Sequence, residues 1–124
     1  MPSPRFETIP LDDPRLHEGA RLFNAGQFFE SHEVWESLWH DVAGRERELL
    51  QGLIQLAAAY HHLQHQNLTG AAYLYERSRA RLAGWGASWH GLALGELLQQ
   101  ADAEFAGMRA GHTLQRPPRL STSS

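Results

Sequence analysis

The chain contains no cysteine, which removes disulfides, thiolate nucleophiles and cysteine-ligated zinc together. A reducing cytoplasm is compatible with that composition, and a cytoplasmic location is the expectation. It also lacks a basic excess: 11 Lys and Arg against 14 Asp and Glu leave a net charge of -3, the wrong sign for neutralising phosphates. Nucleic acid is therefore disfavoured as a partner. Long apolar runs are missing too. The most apolar window, Leu53 to Tyr60, is interrupted by Gln55 and falls far short of the roughly 20 residues a membrane-spanning helix requires. The start, MPSPRFETIPLDDP, has neither the basic beginning nor the apolar stretch of a signal peptide, so no membrane association and no export are expected. A glycine-rich phosphate loop and a G-x-S-x-G elbow are absent as well.

What is present is enough apolar material, 42% of 124 residues, for one packed domain. Residues 1–12 carry three of the six prolines and no clean periodicity, which predicts an extended arm anchored by Phe6 and Ile9. A first helix is expected from Asp13 as cap and Pro14 as first helical residue, ending at Gly26. A second runs from Phe28 to about Val42, a third from about Arg45 to Gln66, and a fourth from about Thr69, read as its cap, to Ala83. The stretch GWGASWHG reads as a loop held by two tryptophans, and a fifth helix spans about Leu92 to Met108. Residues 111–124, rich in proline and serine, are expected to form a flexible tail after a domain spanning 13–110. With no convincing strand or repeat, the fold class is all-α: a single-domain bundle of about five helices arranged as antiparallel helix pairs.

Chemistry concentrates in the second helix, FFESHEVWESLWH. At about 100° per residue, Trp35, Trp39 and Val42 cluster with Phe28, while Glu30, Ser37 and Asp41 lie opposite. His32 and Glu36 fall on the shoulder of the apolar face, with Glu33 just beyond on the Phe29 side. Four residues apart, His32 and Glu36 can touch each other or jointly hold an ion. HEVWE departs from the zinc-protease HExxH at its last position, and the chain has no Glu-x-x-His pair of the di-iron type. The plainer reading is a hydrogen-bonded pair or a salt bridge to a neighbouring helix.

On the third helix, Gln51, Gln55 and His62 form a column separate from the Leu49, Leu53, Leu56, Tyr60, Leu63 core stripe. It either faces the second helix, which would make His62 a third ligand, or faces solvent. His61 and His65 are read as dipole partners at the helix end, and His90 and His112 belong to no constellation. The enzymatic option is metal-assisted hydrolysis, with His32, Glu36 and His62 around a divalent cation such as zinc and Glu33 as general base for a bound water. The alternative is a non-catalytic helical module taking a protein or peptide partner between helix pairs, with Glu30, Gln51 and Gln55 in its binding strip. The incomplete ligand motif favours the module. Self-association through the last helix or Trp85 and Trp89 is the remaining partner expectation.

FNAGQFFESHEVWESLWH followed by LLQGLIQLAAAYHHLQHQNLTGAAYLYERS resembles the bacterial and archaeal domain of unknown function family 309. The positions carrying the resemblance are Glu30, His32, Glu33, Trp35, Glu36 and Trp39, then Gln51, Gly52 and Gln55, then His62, Asn67, Gly70 and Ala71. It spans roughly residues 16 to 83. The resemblance implies an all-helical fold, and some members are labelled predicted metal-dependent hydrolases. It also implies that His62, rather than His61, joins the second-helix strip together with the glutamine column.

Overall fold

Helix boundaries follow local chemistry closely in the computed structural model, which describes residues 6–109 and Leu120. Five helices are present: α1 (Arg15–Asn24), α2 (Phe28–His40), α3 (Glu46–Gln64), α4 (Leu68–Leu82) and α5 (Leu94–Arg109). No strand occurs among the described residues, only isolated bridges pairing Phe6 with Val42 and Trp89 with Leu92. The all-α expectation holds, and no helix among the described residues is long and apolar enough to cross a membrane.

Pro14, expected as the first helical residue, is instead the residue before α1, and Asp13, one position earlier, accepts the Arg15 N–H through Oδ1 at 3.0 Å. The helix closes into Gly26, whose φ of +77° suits glycine. α4 corrects one expectation: its cap is Asn67, whose Oδ1 accepts the Gly70 N–H at 3.0 Å, and Thr69 lies inside the helix. A methyl at Gly70 would come within 2.6 Å of the Asn67 side chain, so the cap needs glycine there.

Consecutive helices pack as neighbours, α1 on α2, α2 on α3 and α3 on α4, with α5 joined more lightly through α4. Short connections at residues 25–27, 41–45 and 65–67 enforce this order. Two of the contacts are built alike. At α1 and α2, Ser31 Oγ donates to the Gly19 carbonyl at 2.8 Å, and the Trp35 indole lies so close to Gly19 that a Cβ there would fall 2.1 Å from Nε1. Trp35 Nε1 in turn donates to the Leu16 carbonyl at 2.9 Å. At α3 and α4, Ser78 Oγ donates to the Gly52 carbonyl at 2.8 Å, and a Cβ on Gly52 would meet Leu82 at 2.9 Å. In each case a buried serine and a large apolar residue four positions later grip a glycine on the adjoining helix. The hydroxyls are satisfied while the backbones come together.

Around these contacts lies an aromatic core. Tyr60 stacks on Phe28 with ring centroids 5.3 Å apart and meets Phe23 and Phe105 edge-on. Phe105 stacks on Tyr75 at 4.2 Å, bringing α5 onto α4.

The arm and the 84–91 loop share one anchor. Glu46, in the first turn of α3, accepts the Ile9 N–H at 2.6 Å through Oε1, and through Oε2 it meets Trp89 Nε1 at 2.6 Å and His90 Nε2 at 2.8 Å. Ile9 is buried while Phe6 stays partly exposed, bridging to Val42 through bonds to the Asp41 carbonyl and from the Ala43 N–H. Trp85 and Trp89 are packed against the core. His90, assigned no role from sequence, thus belongs to a structural anchor. The tail expected over 111–124 lies outside the described residues apart from Leu120, whose side chain is buried and whose N–H and carbonyl both bond to the Asn24 side chain. Residues 1–5 of the arm lie outside them too.

These contacts set the expected cost of four substitutions. Gly19→Ala is expected to lower the melting temperature by roughly 10 °C despite alanine's better helix propensity, because a rigid indole must move. Gly52→Ala should cost less than half of that, since the added methyl meets Leu82 at 2.9 Å and Arg81 Cβ at 3.1 Å rather than an indole at 2.1 Å. A thermal melt in which neither variant is less stable than the parent would show that neither glycine is a close-approach point. Glu46→Ala orphans up to three donors and is expected to cost roughly 2–4 kcal/mol. By comparison Glu48→Ala, which removes an exposed pair with Arg81, should cost about 0–1 kcal/mol in urea unfolding.

Candidate functional site

With Phe28, Ser31, Trp35 and Leu38 buried by α1 and α3, the opposite and flanking positions of α2 are left to line the surface. Phe29, His32, Glu33, Glu36, Ser37 and His40 form an open hollow of about 340 Å³ along that flank. A second hollow of about 180 Å³, between α2 and α3, is lined by Phe29, His32, Ala58, His61 and His62. Phe29 and His32 belong to both. Phe29 is 48% exposed, although every other aromatic residue of α2 is buried or packed against the core.

Within the first hollow His32 Nε2 faces Glu36 Oε2 at 3.2 Å, and His40 Nε2 approaches the other Glu36 oxygen at 3.8 Å. Glu36 thus sits between two imidazoles one turn either side of it. The His32 Nδ1 is buried without a hydrogen-bond partner. Glu33 is exposed at the rim.

Around the second hollow the Phe29 ring lies 6.2 Å from His32 and 5.5 Å from His61. His61 is held below its ordinary pKa first by burial, then by His65 and His62 beside it, with Glu30 acting in the opposite direction. At neutral pH it presents an uncharged ring to Phe29. His65 Nδ1 sits 2.9 Å from the His61 carbonyl, as a helix-end partner should. His62 Nδ1 lies 3.2 Å from Asn67 Nδ2. Because Asn67 spends its oxygen on the Gly70 N–H, only its NH₂ faces His62, which must accept through Nδ1 and keep its proton on Nε2.

The sequence-derived residues therefore separate. His32 and Glu36 meet, and His62 lines the adjoining hollow, but no group of three or more His, Asp or Glu side chains among the described residues is arranged to hold a metal ion. The His62 tautomer also opposes a metal at Nε2, which would require the proton on Nδ1. This donor set does not fit a zinc centre. The glutamine column divides as well. Gln55 is buried and accepts from Arg81 Nε of α4 at 3.1 Å, which fixes it toward the α3 and α4 contact, and Gln51 is half-buried. Glu30 stays exposed near His61. Two contributors were missed from sequence: Phe29, which was given no role, and His61, read as a dipole partner. For Phe29 the signal was the FF doublet, since adjacent residues lie about 100° apart on a helix and Phe28 takes the core position.

Comparison with known proteins agrees with this fold. An uncharacterized protein of Aquifex aeolicus (strain VF5) is 28% identical over 117 residues, 94% of this chain, which spans only 34% of that protein's length. The crystal structure of a conserved hypothetical protein from Thermus thermophilus is similar with a TM-score of 0.64 and 36% identity, covering 80% of this chain and 99% of that one. Residues 16–74, from the first buried leucine of α1 into the middle of α4, match the family described as Domain of unknown function (DUF309), and the chain belongs to that family.

Proposed function

We propose that the chain is a non-catalytic helical binding module that receives a peptide or protein segment in the two hollows meeting at Phe29. The observation that carries this reading is the exposed Phe29 ring, shared by a polar hollow on the α2 flank and a histidine-lined hollow between α2 and α3. An aromatic residue on the lip of a partly formed concavity is the arrangement from which binding energy is most readily drawn. A partner helix or extended segment would cover Phe29 with an apolar side chain. Its polar groups would then meet Glu33, Glu36 and Ser37.

The residues of the family motif support a module for a second reason. Trp35, Gly52, Gln55, Asn67, Gly70 and Ala71 are each engaged in packing or capping, and Glu36 is engaged with His32. The motif reads as the chemistry of four helices held in fixed register. The hydrolase reading needs His32, Glu36 and His62 free to converge with Glu33 beside them, and the Asn67 bond to His62 works against it.

A displayed random peptide library selected against the untagged protein tests the proposal. Selected peptides are expected to shift the amide resonances of Phe29, His32, Ala58, His61 and His62, and Phe29→Ala should weaken them at least tenfold. Because Phe29 is half exposed, the same variant should melt within about 2 °C of the parent. The depressed His61 pKa adds a pH signature. Binding of an apolar side chain should hold at neutral pH and weaken as acid charges that imidazole, below the usual histidine range. Peptides that bind Phe29→Ala as well as they bind the parent would refute the assignment of this surface. Stoichiometric zinc or manganese in protein purified without a histidine tag would favour the hydrolase.

A further inference from the structure

The last helix lies beyond the part of the chain matching the family, and it is held by a separate group of side chains. Phe105 stacks on Tyr75 and meets Tyr60 edge-on, and Asp102 receives both the Tyr75 hydroxyl and the Arg79 guanidinium. Between these, Glu104 carries its Oε2 into the protein, where it is buried with no hydrogen-bond partner. The Tyr60 hydroxyl on α3 is in the same condition: the residue is fully buried and its oxygen has no partner. The groups acting electrostatically on that hydroxyl are Glu104, Tyr75 and Asp102. Arg79 is bound to Asp102 through two of its nitrogens, which leaves Asp102 neutralised and Glu104 without a counter-charge among the described residues.

From this geometry we propose that α5 docks onto α3 and α4 in a proton-dependent way: it is seated while Glu104 is a neutral carboxylic acid and loosens when Glu104 becomes a carboxylate. A partly exposed carboxyl whose inner oxygen is buried with no donor aimed at it is favoured as an acid and disfavoured as an anion. This goes beyond the binding surface at Phe29, since it concerns a different helix and a different set of groups.

Burial pushes the Glu104 carboxyl up to about 7, in line with its lack of partners. The folded state then holds this proton more tightly than the unfolded chain does, so the sign is fixed. Below the usual glutamate range both states are protonated and Glu104 has no effect on stability. As pH rises from there through about 7, the folded state loses ground, and above that the loss is complete. Four other groups have different signatures. Asp102, held below its usual value by Arg79 and Tyr75 against its own burial, loses stabilisation only in acid. His61 is held low and also acts toward acid. Tyr75, pushed up to about 12, and Tyr60, raised further by burial, do not ionise in this window.

The test compares the full chain with Glu104→Gln, which keeps the shape and removes the titration. The melting temperature of the parent, relative to the variant, should fall by roughly 5 °C between pH 5.5 and 8.5. The side-chain carboxyl ¹³C resonance of Glu104 should titrate near neutrality, and α5 amides should lose hydrogen-exchange protection before those of α3. A parent and variant with parallel pH profiles, or a ¹³C midpoint in the ordinary glutamate range, would overturn the proposal. If Glu104→Gln folds poorly, the ¹³C titration of the parent decides alone. Tyr60→Phe supplies a further check, since it should leave the titration near neutrality even if it shifts overall stability.

Discussion

Close approach of helix backbones at Gly19 and Gly52 is the constraint on which the rest of the molecule depends. Each glycine receives a large side chain where a Cβ would stand, and each offers its carbonyl to a buried serine. The hydroxyl bond matters because the contact would otherwise bury a polar oxygen with no partner. The two contacts fix the rotation of α2 on α1 and of α4 on α3. Once Ser31 and Trp35 are turned toward α1, the three-and-four spacing of α2 directs Phe28 to Tyr60 and leaves Phe29, Glu33, Glu36 and Ser37 at the surface. The candidate site is what α2 has left after these demands are met.

That hierarchy explains how much could be read from the residues alone. Helix number, order and approximate ends were legible because proline, glycine and apolar spacing act locally, as at Asp13, Pro14 and Gly26. The wheel also placed His32 and Glu36 correctly on the shoulder of α2, where they meet. Long-range assignments were harder. Gln55 was read with the α2 strip because periodicity reports which residues share a stripe, but it does not report which neighbour will claim the boundary between two helices. Arg81, 26 positions further on, claimed it. His90 and Glu46 were invisible for the same reason, since their contact joins residues 44 apart through a loop without periodicity.

Asn67 shows how a small capping decision reaches the site. Its oxygen ends the Gly70 N–H problem at the start of α4, and its amide nitrogen then sets which His62 nitrogen bears a proton. A motif that joins His62, Asn67 and Gly70 looks like a ligand set when read for chemistry. Read for helix ends, it is a turn whose three members satisfy one another. The second interpretation needs no added component, whereas the first needs Asn67 to give up one of its bonds.

The same logic separates the two ends of the chain from the motif region. Glu46 is a carboxylate fully supplied with donors, and it ties the arm and the 84–91 loop to the first turn of α3, where negative charge also suits the helix dipole. Glu104 is a carboxylate with a buried oxygen and no donor, placed where α5 meets the aromatic core. One acid meets a donor from the arm and two from the loop. The other is stabilised only as a neutral acid, and through Phe105 and Tyr60 it acts on the same ring cluster that supports Phe28, the residue next to Phe29. Loosening of α5 would therefore be felt first at the base of α2, on the side away from the exposed ring.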